Sequence, residues 1–235
     1  MRGLSLLFVA AASLHAADRS TALTPLTGDE IFSRLMEHNH QREDLLRGYS
    51  VQRDYSATNR EGKLYAAEEV RMSYAPPDEK KFVTLSARGS RLVRNLVFSR
   101  LMQTEAAAAR GKERNDSSIT PANYRFEALG AGEVGGRRCY AVQAIPLHKN
   151  KYLFEGEIWI DAEEFAIARI AARPASNPSF WTRHVEFVRT YSKVGSLWLP
   201  SRDETVADIR IHGRKILTID HYGYVLNTGH EYSGR

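Results

Sequence analysis

Residues 152–173, YLFEGEIWIDAEEFAIARIAAR, decide the fold class. Phe154, Ile158 and Ile160 fall on one face of an extended chain, and Glu155, Glu157, Trp159 and Asp161 fall on the other. A period of two with apolar and polar faces is the mark of a half-buried β-strand. Ala162-Glu163-Glu164 interrupts the pattern, and it resumes over 165–173. Two strands joined by so short a connection pair antiparallel.

The same period extends outward in both directions. Toward the C-terminus it predicts strands at 183–193, 197–211 and 214–226, separated by the segment 174–178, by Gly195 and by His212-Gly213. Toward the N-terminus it predicts 151–161 itself, then 137–145 and 123–129, with Lys149-Asn150 and Gly135-Gly136 as separators. Earlier still, Tyr49, Val51, Arg53 and Tyr55 alternate with polar neighbours; Asn59 to Gly62 turn; Ala66, Glu68, Val70, Met72 and Tyr74 alternate again. Pro76-Pro77 ends that strand, and 81–86 reads as another. Connections are short and no strand–helix–strand alternation occurs, which excludes a parallel sheet. About ten antiparallel strands in one open sheet must curl.

Two helices are available to cover it. Thr27-Gly-Asp-Glu30 is a capping box, with Ile31, Phe32, Leu35 and Met36 following at helical spacing, so a helix is expected over 28–41. Ser90 caps a second, expected over 91–109, with Leu92, Val93, Leu96, Val97 and Leu101 on one face. Residues 112–120 are polar and read as a loop, and 227–235 as a flexible tail.

The N-terminus has the layout of an export signal. Arg2 precedes the apolar run LSLLFVAAA at 4–12, and Ala16 and Ala17 follow. The run is too short for a bilayer of roughly 30 Å. Residues 1–16 are therefore expected to be a cleaved signal peptide, 17–226 a single domain, and the location the periplasm. No later stretch has the length and apolarity of a transmembrane span, and no cysteine follows the signal to take a lipid. The formal charge of +5 falls to +4 with Arg2 removed, and basic and acidic residues interleave, which argues against a nucleic-acid partner. Cys139 is the one cysteine, so no intramolecular disulfide forms, and its strand context marks a buried, inert thiol.

Catalytic and metal signals are weak. Gly130-x-Gly132-x-x-Gly135 matches a dinucleotide fingerprint by letter, but a strand follows it where a helix is required, so these are hairpin glycines. His38 and His40 lie two apart on a helix and face apart. Glu155, Glu157 and Asp161 could serve acid–base chemistry, yet their alternation fits the solvated face of a strand. Asn115-Asp-Ser117 is a glycosylation sequon by letter only. No enzyme, metal or cofactor is indicated. What remains is aromatic and aliphatic: Trp159, Trp181 and Trp198, with Phe180 beside Trp181, fill a core or line a cavity mouth.

Export signal, early helix, β-meander, second helix, then Glu155-Gly-Glu-Ile-Trp-Ile-Asp161 and a run of antiparallel strands together resemble the LolA-like family of outer-membrane lipoprotein-sorting proteins. Residues 152–172, Pro178-Ser-Phe-Trp181 and Gly195-Ser-Leu-Trp-Leu-Pro200 carry most of the likeness. It implies an α+β fold: a strongly curved antiparallel sheet, an unclosed half-barrel, with helices over its concave face. It implies a non-catalytic carrier whose apolar cavity takes lipid or the acyl chains of a lipoprotein between envelope donor and acceptor proteins. The chain is expected to act as a monomer. Helix 91–109 would be the lid, with Leu92, Leu96 and Val97 facing the cavity. Val51, Val70, Met72, Phe82, Phe154, Ile158, Ile170, Phe187, Ile209 and Ile219 would line the sheet side, as strand alternation places them. Two rivals are a regulatory module that senses lipoproteins and signals through a partner protein, and a hydrolase using Glu155 and Glu157.

Overall fold

The computed structural model describes residues 23–176, 182–210 and 213–228. The expected signal peptide and the Pro178-Ser-Phe-Trp181 turn lie outside the described residues.

Helix α1 (Gly28–Leu45) opens on its capping box. The Glu30 carboxylate accepts from the Thr27 amide at 2.7 Å, and the Glu30 amide donates to Thr27 Oγ1 at 3.3 Å. The helix then runs past the expected end at 41, directly into β1 (Leu46–Asn59). Next come β2 (Leu64–Ala75) and β3 (Glu79–Gly89), joined by the expected turn, where the Gly62 amide donates to the Asn59 carbonyl at 3.1 Å.

The second helix is not uniform. Ser90 caps it, accepting from the Val93 amide at 3.3 Å. One short α turn, α2 (Arg91–Val93), passes into a π turn (Arg94–Phe98) and then into α3 (Ser99–Ala108). The stretch 112–120, expected as loop, is instead largely taken up by a short helix, α4 (Gly111–Ser117). The chain then lays down β4 (Tyr124–Val134), β5 (Arg137–Pro146), β6 (Phe154–Asp161), β7 (Ile167–Pro174), β8 (Thr182–Val194), β9 (Leu197–Ile209) and β10 (Gly213–Thr228). The last strand thus includes two residues expected in the tail. Among the described residues no helix is long and apolar enough to cross a membrane.

All ten strands form one antiparallel sheet in the order β3-β2-β1-β10-β9-β8-β7-β6-β5-β4. The first strand pairs with the last, so the sheet is one long meander with β1 and β10 in its interior. β3 and β4 are left as unpaired edges, and the sheet is an unclosed half-barrel. Segment 90–123 carries the chain from one free edge to the other, and its helices pack on β2 and β3.

Two separate cores result. In one, Ile31, Phe32 and Leu35 of α1 pack on Phe126, Val142, Phe154, Ile158, Ile160 and Ile170, with the Phe32 and Phe126 rings stacked at 3.5 Å. In the other, Phe98 packs on Tyr55, Ala66 and Val70 beneath the π turn. The hairpin read first, β6–β7, is present as expected, but Asp161 is not on a solvated face. Its carboxylate is buried, accepts the amides of Glu163 and Glu164 at 3.1 and 2.8 Å, and pairs with Arg137 at 2.5 Å. A short turn starting at a strand end needs an acceptor for its free amides, and Asp161 is that acceptor.

Candidate functional site

The site lies between the two cores, on the concave face of β8, β9, β10 and β1. Alternation brings one inward residue from each strand to nearly the same level. Arg53 of β1 is opposite His221 of β10, Ile219 of β10 is opposite Asp203 of β9, and Asp203 is opposite Arg189 of β8. Beyond these the same belt returns to apolar residues, Val70 on one side and Ile170, Ile158 and Val142 on the other. The half-barrel therefore carries a charged seam between two apolar walls.

Two ion-pair groups fill the seam. Arg53 is only 4% exposed, and its guanidinium grips both oxygens of Glu105, reaching down from α3, at 2.7 and 3.1 Å. Lys80 adds a bond to Glu105 at 2.9 Å. Burial works to raise the Glu105 carboxyl, but Arg53 and Lys80 outweigh it and hold the group well below the usual carboxylate range. In the second group, Arg189 bonds Asp203 through Nε, and His221 Nε2 meets the other Asp203 oxygen at 2.8 Å. Burial likewise opposes the shift of Asp203, yet Arg189 and His221 bring it down to about 2. Burial lowers His221, which favours the neutral imidazole at pH 7. Two polar atoms of the seam, Arg53 Nε and His221 Nδ1, are buried without a hydrogen-bond partner.

A cleft of about 410 Å³ opens beside the seam. Tyr49, Tyr74, Lys80, Glu105, Arg114 and Arg189 line it, with the last turn of α3 and the end of α4. That size is within the ~300–1,000 Å³ of small-ligand sites. Tyr49 packs against Tyr74 and Tyr224 at ring separations of 5.5 and 5.7 Å, which gives the cleft an aromatic floor. Burial pushes the Tyr49 hydroxyl up to about 12, so it stays a neutral donor. A smaller cleft of about 230 Å³ lies between α1 and β9, where Arg42 meets Leu197, Trp198 and Leu199.

The expected cavity residues divide between the two cores instead of surrounding one void. Phe154, Ile158 and Ile170 are buried in the α1 core, with Phe187 packed at its margin. Val70 is buried beneath the π turn, with Phe82, Val97 and Ile219 packed around it. Val51 and Met72 are buried in the adjoining wall, and Ile209 sits half-buried at the β9 end that pairs with Gly213. Leu92 and Leu96 do not face inward: they are 67% and 47% exposed. The π turn inserts an extra residue, so the helix lays Val93, Val97, Phe98 and Met102 on the sheet and turns both leucines outward. Trp198 lines the smaller cleft and donates to Glu164 at 3.0 Å. Cys139 is buried, and desolvation raises its thiol to about 11, as befits an inert side chain.

Other sequence motifs resolve into structure. Gly135 and Gly136 make the β4–β5 turn with φ of 59° and 78°, a conformation side chains resist. Gly132 lets the Trp159 ring lie against the backbone of β4, where a Cβ would sit 2.5 Å from the ring. Glu155 pairs with Arg173 at 3.0 Å across the outer face. His38 packs on the Phe165 ring at 5.7 Å.

Comparison with solved structures finds chains that run over most of this one. A putative outer membrane lipoprotein-sorting protein domain from Vibrio parahaemolyticus is similar at 14% identity and a TM-score of 0.47, covering 86% of this chain and 95% of its own. A DUF1329 family protein from Desulfovibrio piger is similar at 11% identity and a TM-score of 0.46, covering 86% and 94%. A LolA superfamily protein from Nitrosomonas europaea is similar at 10% identity and a TM-score of 0.41, also covering 86% and 94%. Comparison with curated proteins finds no match. A family model described as a family of unknown function, DUF5686, matches residues 30–227, from the first turn of α1 into the last turn of pairing on β10, and the chain belongs to that family.

Proposed function

We propose that this protein is a non-catalytic binder that holds the acyl chain of a lipid or lipoprotein between the concave face of its half-barrel and the covering segment 91–117. One observation carries the reading. The cover is fixed to the sheet by one wholly buried side chain, Phe98, and by the Glu105 carboxylate held on Arg53 and Lys80, and the 410 Å³ cleft opens along its later turns. Lifting that segment would bare Tyr55, Ala66, Val70 and Ile219 as an apolar floor.

Magnitudes favour the exchange. Burying a Phe side chain contributes about 1.5–3 kcal/mol. A sixteen-carbon chain at ~0.8 kcal/mol per methylene contributes on the order of 12 kcal/mol before ordering costs. Lifting the cover also parts Glu105 from Arg53, at about 3–5 kcal/mol, so a sixteen-carbon chain exceeds the combined cost while an eight-carbon chain, at about 6 kcal/mol, only matches it. In this proposal the chain is exported by residues 1–16, works in the periplasm as a monomer, and passes its ligand between envelope proteins. A sensor reading is favoured by one feature: Leu92 and Leu96 stand on the outer face of the cover, so a partner bound there would feel the cover move.

The test is native mass spectrometry of protein taken from the periplasm, followed by displacement of a fluorescent sixteen-carbon acyl probe. Stoichiometric acyl lipid, or probe binding that weakens steadily from sixteen to eight carbons, is the expected result. No co-purified lipid together with no probe binding at any length would overturn the proposal.

A further inference from the structure

We infer that the cleft selects an acyl ligand with an anionic head, a fatty-acid carboxylate or a lipid phosphate, over the uncharged acyl groups of a lipoprotein. The inference rests on the acyl-binding reading above and narrows its ligand class.

The first ground is charge. Around the seam and cleft stand four cations, Arg53, Lys80, Arg114 and Arg189, against two carboxylates, Glu105 and Asp203. His221 is held toward its neutral form by burial and adds no charge to the count. Both carboxylates are already engaged twice, Glu105 by Arg53 and Lys80, Asp203 by Arg189 and His221. A surplus of two positive charges is left around the seam and the open cleft beside it.

The second ground is access. Arg189 commits Nε to Asp203, yet 42% of its side chain stays accessible, and the residue lines the cleft. Lys80 spends one bond on Glu105 and has three donors. Arg114 rests one nitrogen on the Pro77 carbonyl at 3.1 Å and is otherwise exposed at the rim. Tyr49 and Tyr74 line the same wall. The third ground is the pair of orphaned atoms in the buried row behind it, Arg53 Nε and His221 Nδ1. Unpartnered polar atoms at full burial are uncommon, and they mark the seam as a place where polar groups outnumber their partners.

The geometry is that of an amphiphile site. Cationic donors ring the cleft, and the apolar floor under Phe98 adjoins it through Arg53, which lies over the Phe82 ring at 5.7 Å and pairs in register with Val70. A carboxylate or phosphate held by Lys80, Arg114 and Arg189 would place its chain along that floor. The acylated cysteine of a lipoprotein has esters and an amide there, or a cationic amine, and neither uses the surplus.

The experiment compares four sixteen-carbon ligands on the whole chain by calorimetry: palmitate, lysophosphatidylglycerol, uncharged monopalmitoylglycerol and a triacylated lipopeptide. Inorganic phosphate is a fifth arm. The two anionic lipids should bind about tenfold or more tighter than the neutral one. In Lys80→Gln/Arg114→Gln that preference should shrink to about threefold or less. Both sites are at least partly exposed, and a thermal melt checks the fold. Equal binding of charged and neutral lipids, a preference surviving the double variant, or tightest binding of the lipopeptide would each overturn the inference while leaving acyl binding intact. Phosphate binding as tightly as the lipids would overturn it too, since the chain would then contribute nothing. Failure of all four lipids would overturn the acyl-binding reading along with it.

Discussion

Phe98→Ala isolates the cover from the rest of the protein. Phe98 is wholly buried on Tyr55, Ala66 and Val70, and its ring meets Tyr55 at 5.6 Å. Truncating a core phenylalanine costs about 3–5 kcal/mol. Val93, Val97 and Met102 stay partly buried beside it, so the lower end of that range applies. About 3 kcal/mol corresponds to roughly 100-fold in an opening equilibrium. Hydrogen exchange followed by mass spectrometry reads this directly. Amides of 91–108 should exchange about 100-fold faster in the variant, while those of α1, fixed by Ile31, Phe32 and Leu35 in the other core, should keep the wild-type rate. Equal acceleration in α1 would show that both halves open as one unit and that the cover is not separable.

Three more outcomes follow from the seam and the sheet. Glu105→Ala strands Arg53 and should lower stability by about 3–5 kcal/mol in denaturant titration, with Arg53→Met/Glu105→Leu recovering much of it. Asp203 sits at about 2 in the folded chain against an ordinary value near 3.9, so its contribution of about 2.5 kcal/mol is present above pH ~4 and fades as pH falls toward 2. His221, lowered by burial, adds a gentler loss that begins as pH drops below about 6.5, where the unfolded imidazole takes a proton first; Asp203→Asn should flatten the steeper, acid limb of the stability–pH curve. Gly132→Val should cost about 1–3 kcal/mol by driving a side chain into the Trp159 ring, and a blue-shifted or broadened Trp emission should accompany it.

The sheet was legible because its signal is local. Strand alternation, Gly135-Gly136 and Asn59–Gly62 each state a conformation that neighbours along the chain impose. The β1–β10 pairing had no such signal, since residues about 170 apart meet only through the curl of the whole sheet. The cover was read in part. Its cap at Ser90 was plain, but an apolar stripe holding Leu92, Val93, Leu96 and Val97 is wider than the helix buries, and the π turn chose between its halves. The charged seam shows in the sequence only in part. Arg53 stands at an inward position between Val51 and Tyr55, and Arg189 stands likewise between Phe187 and Tyr191. A lone arginine in an apolar register signals a buried partner, but no spacing along the chain names Glu105 as that partner, because it arrives from the cover.

The meeting of first and last strands sets when this site can exist. Arg53 is on β1 and His221 on β10, so the row they share assembles only after the chain has been made through its final strand. A nascent chain that has completed β1 to β3 holds Arg53 with no β10 beside it, and one that has completed β4 to β9 has its α1 core within reach while the seam is still open. The seam is therefore absent from every incomplete form of the protein, and a chain that loses β10 loses it along with the join between its two halves.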